Sequence, residues 1–388
     1  MSTNLHSQSP IVLAAGGTGG HVFPAQAVAT ELAARGRRLV LITDRRGTNY
    51  GGALADIESH SIQAGTPLAR GPLARGMGVV KLLLGVREAG RLLRRLEPAA
   101  VIGFGGYPSV PAMIAASRSG LATAIHEQNA VLGRANRLLA SRVQQIATSF
   151  EYTSAISPAN RAKITHTGNP VRPAIIEIAS RAYPNPQANG PLHLLITGGS
   201  QGARAFAELV PAALALLSPD IRTRLSVAQH CRPENLDQVR AHYQGSGIRA
   251  EVSTFFEDLP ARLETAHLVV CRAGASTVAE LAAAGRPAIL IPYPSATDDH
   301  QSANSRALAS AGGAVMLHEA ETSAARLAEH LNNFLAAPEV LAKSAQAARD
   351  IGRPGAGQAL ADLVESLIPA NGDPANGDPN KTARRQAA

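Results

Sequence analysis

The sequence predicts an α/β protein with two doubly wound, Rossmann-like parallel-sheet domains that face a central cleft. Its 388 residues are about twice the length of a typical single domain, so each half can bury a core of its own. Short β-branched or leucine-rich runs alternate with stretches of helical period along the chain, as in repeated βα units. Glycine-rich loops follow apolar strands in both halves, which favours a ligand bound between the domains.

The first half contains the runs that we expect to form the first sheet. Strands are predicted near 10–15, 38–43, 100–104, 122–126 and 145–148, and helices after the first glycine loop, near 77–96 and from Pro108. The strand in "AKITHTGNPVRPAI" (162–175) then gives way to "SRAYPNPQANGP" (180–191), which is rich in Pro, Asn and Gly. We therefore predict a first domain at 1–172.

The second half repeats the pattern and is predicted to form a domain at 173–366. Strands are expected near 192–197, 224–229, 251–255, 268–272, 288–292 and 314–317, and the last helix is a candidate to pack back on the first domain. After it the chain reads "LIPANGDPANGDPNKTARRQAA", in which ANGDP occurs twice without apolar periodicity. We expect 367–388 to be a disordered tail.

The composition excludes several classes of protein. Hydrophobic residues make up 45% and charged residues 17% of the chain, which is typical of a folded globular protein. Cys231 and Cys271 are too far apart for a metal-ligand motif and too few for a disulfide framework, so we expect a reducing cytoplasm. The sequence has no signal-peptide pattern and no run of about 18 apolar residues, so neither export nor a transmembrane helix is expected.

Three glycine-rich loops stand directly between a predicted strand and a predicted helix. In "VLAAGGTGGHVFPAQAVATEL" (12–32) the bare backbone lets a ligand approach the N–H groups at the start of a helix, where anions bind. A second loop, "TGGSQGAR" (197–204), and a third within "HLVVCRAGAST" (267–277) have the same setting, and together they suit a diphosphate. A dinucleotide fold with Asp44 on the ribose is the alternative, but its fingerprint needs glycine where Val22 stands.

Six motifs in order carry a resemblance that extends from about residue 10 to about residue 365. They are "GGTGGHVFPAQAVA", "GFGGYPSVP", "HEQNAVLGRANR", "TGNPVR", "TGGSQGAR" and "CRAGASTVAELAAAGRPAILIPYPSATDDHQSANS". With them the chain resembles the MurG family of GT-B glycosyltransferases, which move GlcNAc from UDP-GlcNAc to the MurNAc 4-OH of lipid I in peptidoglycan synthesis. The resemblance implies a GT-B fold, with an acceptor- and membrane-side N-terminal domain and a C-terminal domain that binds UDP-GlcNAc.

The resemblance also implies which residues bind the substrates. Those on the donor, UDP-GlcNAc, are expected to be Thr18, Gly19, Gly20, Asn129, Arg172, Ser200, Phe256, Ala275, Ser276, Thr277, Glu280 and Gln301. Those on the acceptor side are expected to be Gly16, Gly17, Tyr107 and Asn136. Glu280 is expected on the ribose, since a carboxylate accepts charge-assisted hydrogen bonds from both hydroxyls. The "DDHQ" stretch leaves open whether His300 or Gln301 contacts the sugar, and we expect Gln301.

The implied reaction is a displacement with inversion at the anomeric carbon, during which negative charge grows on the diphosphate. Helix N-termini with Ser200, Ser276 and Thr277, helped by Arg172, are expected to stabilise this charge. No metal and no other cofactor is expected, because the glycine loops carry no acidic residue.

The displacement also needs a general base for the acceptor hydroxyl. His21 is the expected catalytic residue, because the start of a helix disfavours the cationic form of its ring and so leaves it able to accept a proton. Glu127 in "HEQN" is the competing base, and His126 is expected to be a structural partner.

The net charge of +8 is concentrated partly in one segment. Between residues 70 and 95 the only acidic residue is Glu88. The same segment has seven basic residues: Arg70, Arg75, Lys81, Arg87, Arg91, Arg94 and Arg95. They surround an apolar set, Met77, Val79, Val80, Leu82, Leu83 and Leu84. Since lipid I lies in a bilayer, we expect residues about 70–95 to dock a peripheral protein on the anionic cytoplasmic face of the plasma (inner) membrane. An ordinary packed amphipathic helix is the alternative.

The sequence also bears on other partners and on alternative functions. No nucleic-acid binding is expected, because aromatic residues do not interleave the basic stretch. Cell-wall synthesis complexes are possible partners. Two further functions remain open: a related GT-B UDP-sugar transferase with a different lipid acceptor, and a non-catalytic sugar-nucleotide-binding scaffold.

Overall fold

The computed structural model describes residues 9–16, 19–44, 54–65, 71–187, 189–199 and 202–368, which form two parallel β-sheets flanked by helices. The strands of the first half are β1 (Ile11–Ala14), β2 (Leu39–Asp44), β3 (Glu58–Ile62), β4 (Ala100–Gly103), β5 (Ala122–Glu127), β6 (Gln145–Thr148) and β7 (Ile164–His166). Its helices are α1 (Gly19–Ala34), α2 (Pro72–Leu96), α3 (Gly106–Arg118), α4 (Arg134–Leu139) and α5 (Pro173–Ala179), with a 3₁₀ helix at Pro158–Lys163.

The second half repeats the alternation of strands and helices. Its strands are β8 (Leu192–Thr197), β9 (Leu225–His230), β10 (Arg249–Ser253), β11 (Leu268–Cys271), β12 (Ala288–Leu290) and β13 (Ala314–Met316). Its helices are α6 (Arg204–Ala215), α7 (Pro219–Arg224), α8 (Leu236–Gln244), α9 (Leu259–Thr265), α10 (Ala275–Ala284), α11 (His300–Ser310), α12 (Ala324–Leu335), α13 (Pro338–Ile351) and α14 (Ala356–Ser366). Short 3₁₀ helices lie at Pro233–Asn235, Thr297–Asp299 and Glu319–Glu321.

The first sheet has the strand order β3-β2-β1-β4-β5-β6-β7, with every strand parallel. Ile11 of β1 pairs with Leu39 of β2 on one side and with Ala100 of β4 on the other. Because the order of connection reverses between β1 and β4, the loops that follow them separate and leave a crevice at the carboxyl edge. The loop after β5 lies at the same edge, next to that crevice.

The second sheet has the order β10-β9-β8-β11-β12-β13 and is also parallel. Leu194 of β8 pairs with Val227 of β9 and with Leu268 of β11. The reversal therefore lies between β8 and β11, at a place that corresponds to the reversal in the first sheet. The second and third glycine-rich loops follow these two strands.

Apolar cores cover both faces of the first sheet. Along β1, Val12 belongs to the core under α2 and α3, whereas Ile11 and Leu13 belong to the core under α1 and α14. Because both faces of a parallel sheet are buried, its strands appear in the amino-acid sequence as unbroken apolar runs.

The last helix, α14, returns to the first sheet. Its Leu360 and Val364 lie in the core that contains Ile11 and Leu13. On the surface, Arg35 of α1 contacts Asp362 at 2.6 Å and Glu365 at 2.7 Å. The chain therefore crosses back from the second sheet, and α14 holds the two halves together.

Some elements differ from the sequence prediction. Strand β3 was not predicted, because Glu58, Ser59, His60 and Ser61 are polar and pairing with β2 at the sheet edge is what orders them. Helix α2 begins at Pro72, before the predicted start at 77, and α3 begins at Gly106, before Pro108. Of the expected tail, Leu367 and Ile368 pack against the first-domain core, and 369–388 lie outside the described residues.

In the part of the chain that the structure describes, no helix combines the length and apolarity needed to cross a bilayer.

Candidate active site

A cavity of about 340 Å³ opens at the carboxyl edge of the first sheet, and both halves of the chain line it. The first half contributes the sequence-predicted residues His21, Tyr107, Glu127, Asn129 and Asn136. The second half contributes Thr297, Asp298 and His300. Residues that lie far apart in the chain, and on four different loops or helix starts, therefore meet at one place.

His21 lies in the first turn of α1, with its ring against the glycines after β4. A Cβ atom on Gly105 would stand 3.3 Å from ring atoms of His21, and one on Gly106 would stand 3.3 Å from its Cδ2. Both glycines have positive φ, 83° and 70°, which favours glycine on conformational grounds as well. Nδ1 of His21 lies 3.1 Å from Oε1 of Gln128, so the ring is held by a hydrogen bond and by packing.

Glu127 is buried at the end of β5 and accepts four hydrogen bonds. Oε1 accepts from the backbone N–H of Asn129 at 3.0 Å and from its side-chain Nδ2 at 3.3 Å. Oε2 accepts from the backbone N–H of Gly133 and from Nδ2 of Asn136, both at 2.8 Å. The carboxylate thus holds the loop that forms one wall of the cavity.

His126, two residues before Gln128, is fully buried and structural. Its Nε2 lies 3.3 Å from the Gly168 carbonyl and its Nδ1 lies 3.1 Å from Nε2 of Gln128. Burial lowers the pKa of His126 to about 4, so the ring is neutral near pH 7.

The first turn of α10 carries Ala275, Ser276 and Thr277 directly after β11. Asn304 of α11 connects this region to the cavity, and it is fully buried. Its Nδ2 donates to the Ala273 carbonyl at 3.0 Å and to Oδ1 of Asn129 at 3.2 Å. Its Oδ1 accepts from the backbone N–H of Ala130 at 2.8 Å.

Glu280 of α10 and Arg172, just before α5, bind each other. The guanidinium donates through Nε at 2.7 Å and through an Nη at 2.8 Å, which is a bidentate pair. Both residues were predicted to contact the donor, and the structure brings them into direct contact.

His300 and Gln301 have different surroundings. His300 donates from Nδ1 to the Thr297 carbonyl at 2.7 Å and lines the cavity. Gln301 accepts at Oε1 from the backbone N–H groups of Ala273 at 3.1 Å and Tyr293 at 2.9 Å. Gln301 therefore ties together the loops after β11 and β12.

The remaining sequence-predicted residues lie around this region. Phe256 is buried with the Arg262 guanidinium 4.1 Å from its ring centre, away from the lining of the cavity. Gly16 packs under α3, where a Cβ would stand 2.7 Å from Cβ of Pro108. Gly19 and Gly20 begin α1. Gly17, Thr18 and Ser200 lie outside the described residues.

Sequence reasoning assigned no role to a second contact between the two halves. Asp298, in a left-handed conformation with φ 54°, binds Arg134 at 3.2 Å and Arg137 at 2.7 Å. Burial acts to raise the pKa of Asp298, but the two arginines outweigh it, so its pKa lies below the usual value. The left-handed backbone after "SAT" was not recognised, although Asp tolerates that conformation.

Asn304 was also missed, although its motif was recognised. The signal that could have found it is a polar side chain on the inward face of a helix, where Ser302 and Ser305 are buried beside it. A buried amide needs partners, and here they come from the other half of the chain.

Comparisons with known proteins agree with the fold described above. The N-terminal domain model of glycosyltransferase family 28 matches residues 11–148, and its C-terminal domain model matches residues 193–366. A relative from Paramagnetospirillum magneticum is 54% identical over 366 residues, which cover 94% of this chain and 99% of the relative. One from Rhodospirillum rubrum is 54% identical over 92% of this chain and 91% of its own. Both are named UDP-N-acetylglucosamine--N-acetylmuramyl-(pentapeptide) pyrophosphoryl-undecaprenol N-acetylglucosamine transferase.

Solved structures match along nearly the whole chain. The crystal structure of MurG from Acinetobacter baumannii has a TM-score of 0.75 at 31% identity and covers 92% of this chain and 100% of its own. The calicheamicin glycosyltransferase CalG4, at 16% identity and a TM-score of 0.66, covers 95% of this chain and 100% of its own and shares the fold. These matches and the two parallel sheets confirm the predicted GT-B fold. The chain belongs to glycosyltransferase family 28, as a member of its MurG N-acetylglucosaminyltransferases.

Proposed function

We propose that this chain transfers GlcNAc from UDP-GlcNAc to the MurNAc 4-OH of lipid I and so makes lipid II. One observation carries the proposal: Asn304 joins Asn129, at the cavity, to Ala273, just before the first turn of α10. A donor with its diphosphate on that turn would hold its sugar beside the cavity that His21 lines. Curated relatives that are 47% to 54% identical to this chain carry a name that states the reaction.

The start of α10 supports a role in binding the diphosphate. The first N–H groups of a helix have no partner within it, and the helix dipole adds partial positive charge there. Ser276 and Thr277 add hydroxyl donors, and the first turn contains no acidic residue. These groups fit an anion, whereas a divalent cation needs oxygen ligands such as carboxylates. We therefore expect transfer without a metal ion, with the helix start stabilising the charge that grows on leaving UDP.

The cavity supports His21 as the general base. Its ring is fixed by Gln128 and by the glycines after β4. Glu127 lines the same cavity, but both of its oxygens already accept two hydrogen bonds from the loop. We assign the proton transfer to His21 and the shape of the loop to Glu127.

Arg172 and Glu280 are suited to bind two parts of the donor nucleotide, the diphosphate and the ribose. Ribose hydroxyls on Glu280 would replace the guanidinium as hydrogen-bond donors. Arg172 would then be released to the diphosphate, which is the arrangement that the family resemblance implies.

The first half of α2 supports docking on a membrane. Its apolar side chains are exposed, among them Leu73 at 80%, Met77 at 55%, Val80 at 56% and Leu83 at 60%. Leu82 instead packs against the core, so it is not part of this face. Lys81, Arg87 and Arg91 are exposed nearby, and each well-placed cation contributes about 1 kcal/mol at an anionic bilayer. We propose that this face binds the cytoplasmic surface of the plasma membrane, where the acceptor's lipid chain is inserted.

Turnover of UDP-GlcNAc with a soluble lipid I analogue tests the function. We expect turnover to persist in EDTA. His21→Ala should lower kcat by about 10² to 10⁴-fold, the usual contribution of a general base, with the Kd for UDP-GlcNAc changed less than about twofold. A different acceptor in a substrate panel would indicate the related transferase, and intact donor binding without turnover would indicate the scaffold.

A further inference from the structure

The side-chain amide of Gln128 lies between His21 and His126, and Gln128 is buried, with 2% of its surface exposed. Its nitrogen, Nε2, has three acceptors in reach: the Phe104 carbonyl at 2.9 Å, Nδ1 of His126 at 3.1 Å and the His126 carbonyl at 3.3 Å. Its oxygen, Oε1, lies 3.1 Å from Nδ1 of His21. The amide thus connects a fully buried ring to one that lines the cavity.

The hydrogens along this connection can be assigned from its buried end. Nε2 of His126 lies 3.3 Å from the Gly168 carbonyl, which can only accept, and 3.2 Å from Oγ of Ser149, which can accept as well as donate. Because the Phe104 and His126 carbonyls orient the nitrogen of the Gln128 amide toward Nδ1 of His126, Nδ1 accepts and Nε2 carries the hydrogen. Because burial lowers the pKa of His126 to about 4, the ring is neutral and its Nδ1 has a lone pair. That lone pair accepts from the amide of Gln128. A reversed amide would place Oε1 against three acceptors, so its orientation is fixed.

The fixed amide decides the tautomer of His21. Oε1 of Gln128 can only accept, so Nδ1 of His21 must carry the hydrogen of the 3.1 Å contact. In the neutral ring the lone pair is then on Nε2. Gly105 and Gly106 pack against the ring and oppose its rotation.

We propose that Gln128 is a positioning residue, which holds His21 in the Nδ1–H tautomer so that Nε2 takes the proton of the acceptor hydroxyl. The inference rests on the proposed role of His21 as the base. In the transfer, the acceptor oxygen bonds the anomeric carbon and its O–H bond breaks, with the proton moving to Nε2. The bond from the anomeric carbon to UDP breaks, with its electron pair on the diphosphate. A neutral amide stabilises the resulting imidazolium less than a carboxylate would.

Nitrogen-15 NMR of the imidazole rings tests the tautomer without turnover. In the full chain, with the His21 signals identified by their loss in His21→Ala, we expect the neutral ring of His21 to carry its hydrogen on Nδ1 and none on Nε2. In Gln128→Met, where a weakly accepting sulfur replaces the amide, we expect the two tautomers to mix. An Nε2–H tautomer in the native chain, or an unchanged tautomer in Gln128→Met, would overturn the proposal.

Kinetics provide a second readout. Gln128→Met should lower kcat at least about tenfold and change the KM for UDP-GlcNAc less than about twofold. Gln128→Glu keeps an acceptor for His21 but adds a charge that favours imidazolium, so the acid limb of kcat/KM should move up by about one pH unit. The other titratable groups that line the cavity, Tyr107, Glu127, Arg134, Asp298 and His300, are the same in these variants. An acid limb that does not move would count against the proposal.

Gln229 provides a matched control. It is fully buried in the second sheet, where its Nε2 donates to the Phe206 carbonyl at 3.2 Å and its Oε1 accepts from Tyr243. Gln229→Met should lower stability but leave kcat, the acid limb and the His21 tautomer unchanged. If it lowers kcat as much as Gln128→Met does, the effect of Gln128 is structural and the proposal fails. If the native chain shows the tautomer but does not turn over lipid I, the proposed function fails instead.

Discussion

Glu127 lies at the cavity, yet its contacts are those of a residue that holds a loop. Its carboxylate accepts from two backbone N–H groups and two side-chain amides between residues 129 and 136. Taking up a proton would cost it some of these bonds, and the cavity wall would lose its support. Among the described residues, His21 has one hydrogen-bond partner, Gln128 at Nδ1, which leaves Nε2 for chemistry.

Glu127→Gln replaces one acceptor oxygen by a nitrogen that cannot accept from the backbone of Asn129 or Gly133. We expect the free energy of unfolding to fall by about 1 to 3 kcal/mol, the usual cost of an unsatisfied buried group. Urea unfolding followed by circular dichroism measures it. The control is Glu177→Gln on the exposed side of α5, which should change stability by less than about 0.5 kcal/mol. Equal effects of the two changes would contradict the loop-holding role.

Sequence motifs could identify the residues whose neighbours are close in the chain. His21, Glu127 and Asn129 follow predicted strands and meet at one cavity. Asn304 could not be identified in this way, because its partners Asn129 and Ala130 are 175 and 174 positions away. A contact of that kind depends on how the two halves pack, which no local pattern contains.

Among the elements, α2 distinguishes the two interpretations of the basic segment, a membrane-docking surface and an ordinary packed amphipathic helix. Its second half packs against the first sheet through Ala89 and Leu93. Its first half exposes Met77, Val80 and Leu83, so a packed amphipathic helix accounts for only part of it. This division favours a membrane-facing surface on the first half.

Flotation with vesicles that contain anionic lipid tests this surface. The combined change Lys81→Glu and Arg91→Glu should reduce binding roughly tenfold or more, since each lost cation costs about 1 kcal/mol. Changing Met77 and Leu83 to Gln should reduce binding to neutral and anionic vesicles alike. Lys343→Glu, on the exposed side of α13, is the charge control and should have little effect. Binding that resists all changes on α2 would exclude this face.

Most elements could be predicted because a parallel sheet buries its strands on both faces. Strands β1 and β4 are apolar and fully buried, and both were predicted near their observed bounds. Strand β3 was not predicted, since it lies at the edge, where pairing with β2 stabilises a polar segment. Edge strands therefore have a weaker sequence signal than central ones.

At the scale of the whole molecule, burial lowers the pKa of histidines in both halves of the described chain, namely His126 and His166 in the first half and His267 in the second. Burial lowers the pKa of His126 to about 4. Burial also lowers the pKa of His267 to about 4, and nearby His193 and Arg286 act in the same direction. Unfolded histidine binds its proton near pH 6.5, so between pH 6.5 and about 4 the unfolded chain holds more protons than the folded one. Stability is therefore fully present above this window and is lost as the pH falls through it.

Urea unfolding between pH 7 and pH 4.5 measures this loss. We expect the free energy of unfolding to fall steadily below pH 6.5, with a slope of up to about 1.4 kcal/mol per pH unit for each histidine. His267→Asn should make the fall shallower. His242→Asn, at an exposed position of α8, should leave it unchanged. A slope that His267→Asn does not alter would rule out His267 as a cause.

The two halves are joined by contacts that depend on their arrangement in space. They are the Asn304 hydrogen bonds, the binding of Asp298 by Arg134 and Arg137, the pair of Arg172 and Glu280, and the packing of α14 on the first sheet. The alternation of strands and helices was enough to predict two sheets. The last helix was expected as a candidate to pack back on the first domain, whereas the polar contacts could not be predicted, because they involve surfaces that are locally unremarkable.

A crystal structure with bound UDP-GlcNAc tests the central claim most directly. We predict that the diphosphate lies on the N–H groups of Ala275, Ser276 and Thr277, that the ribose lies on Glu280, and that the anomeric carbon is turned toward Nε2 of His21. A nucleotide bound away from the start of α10, or a sugar directed away from the cavity, would contradict it.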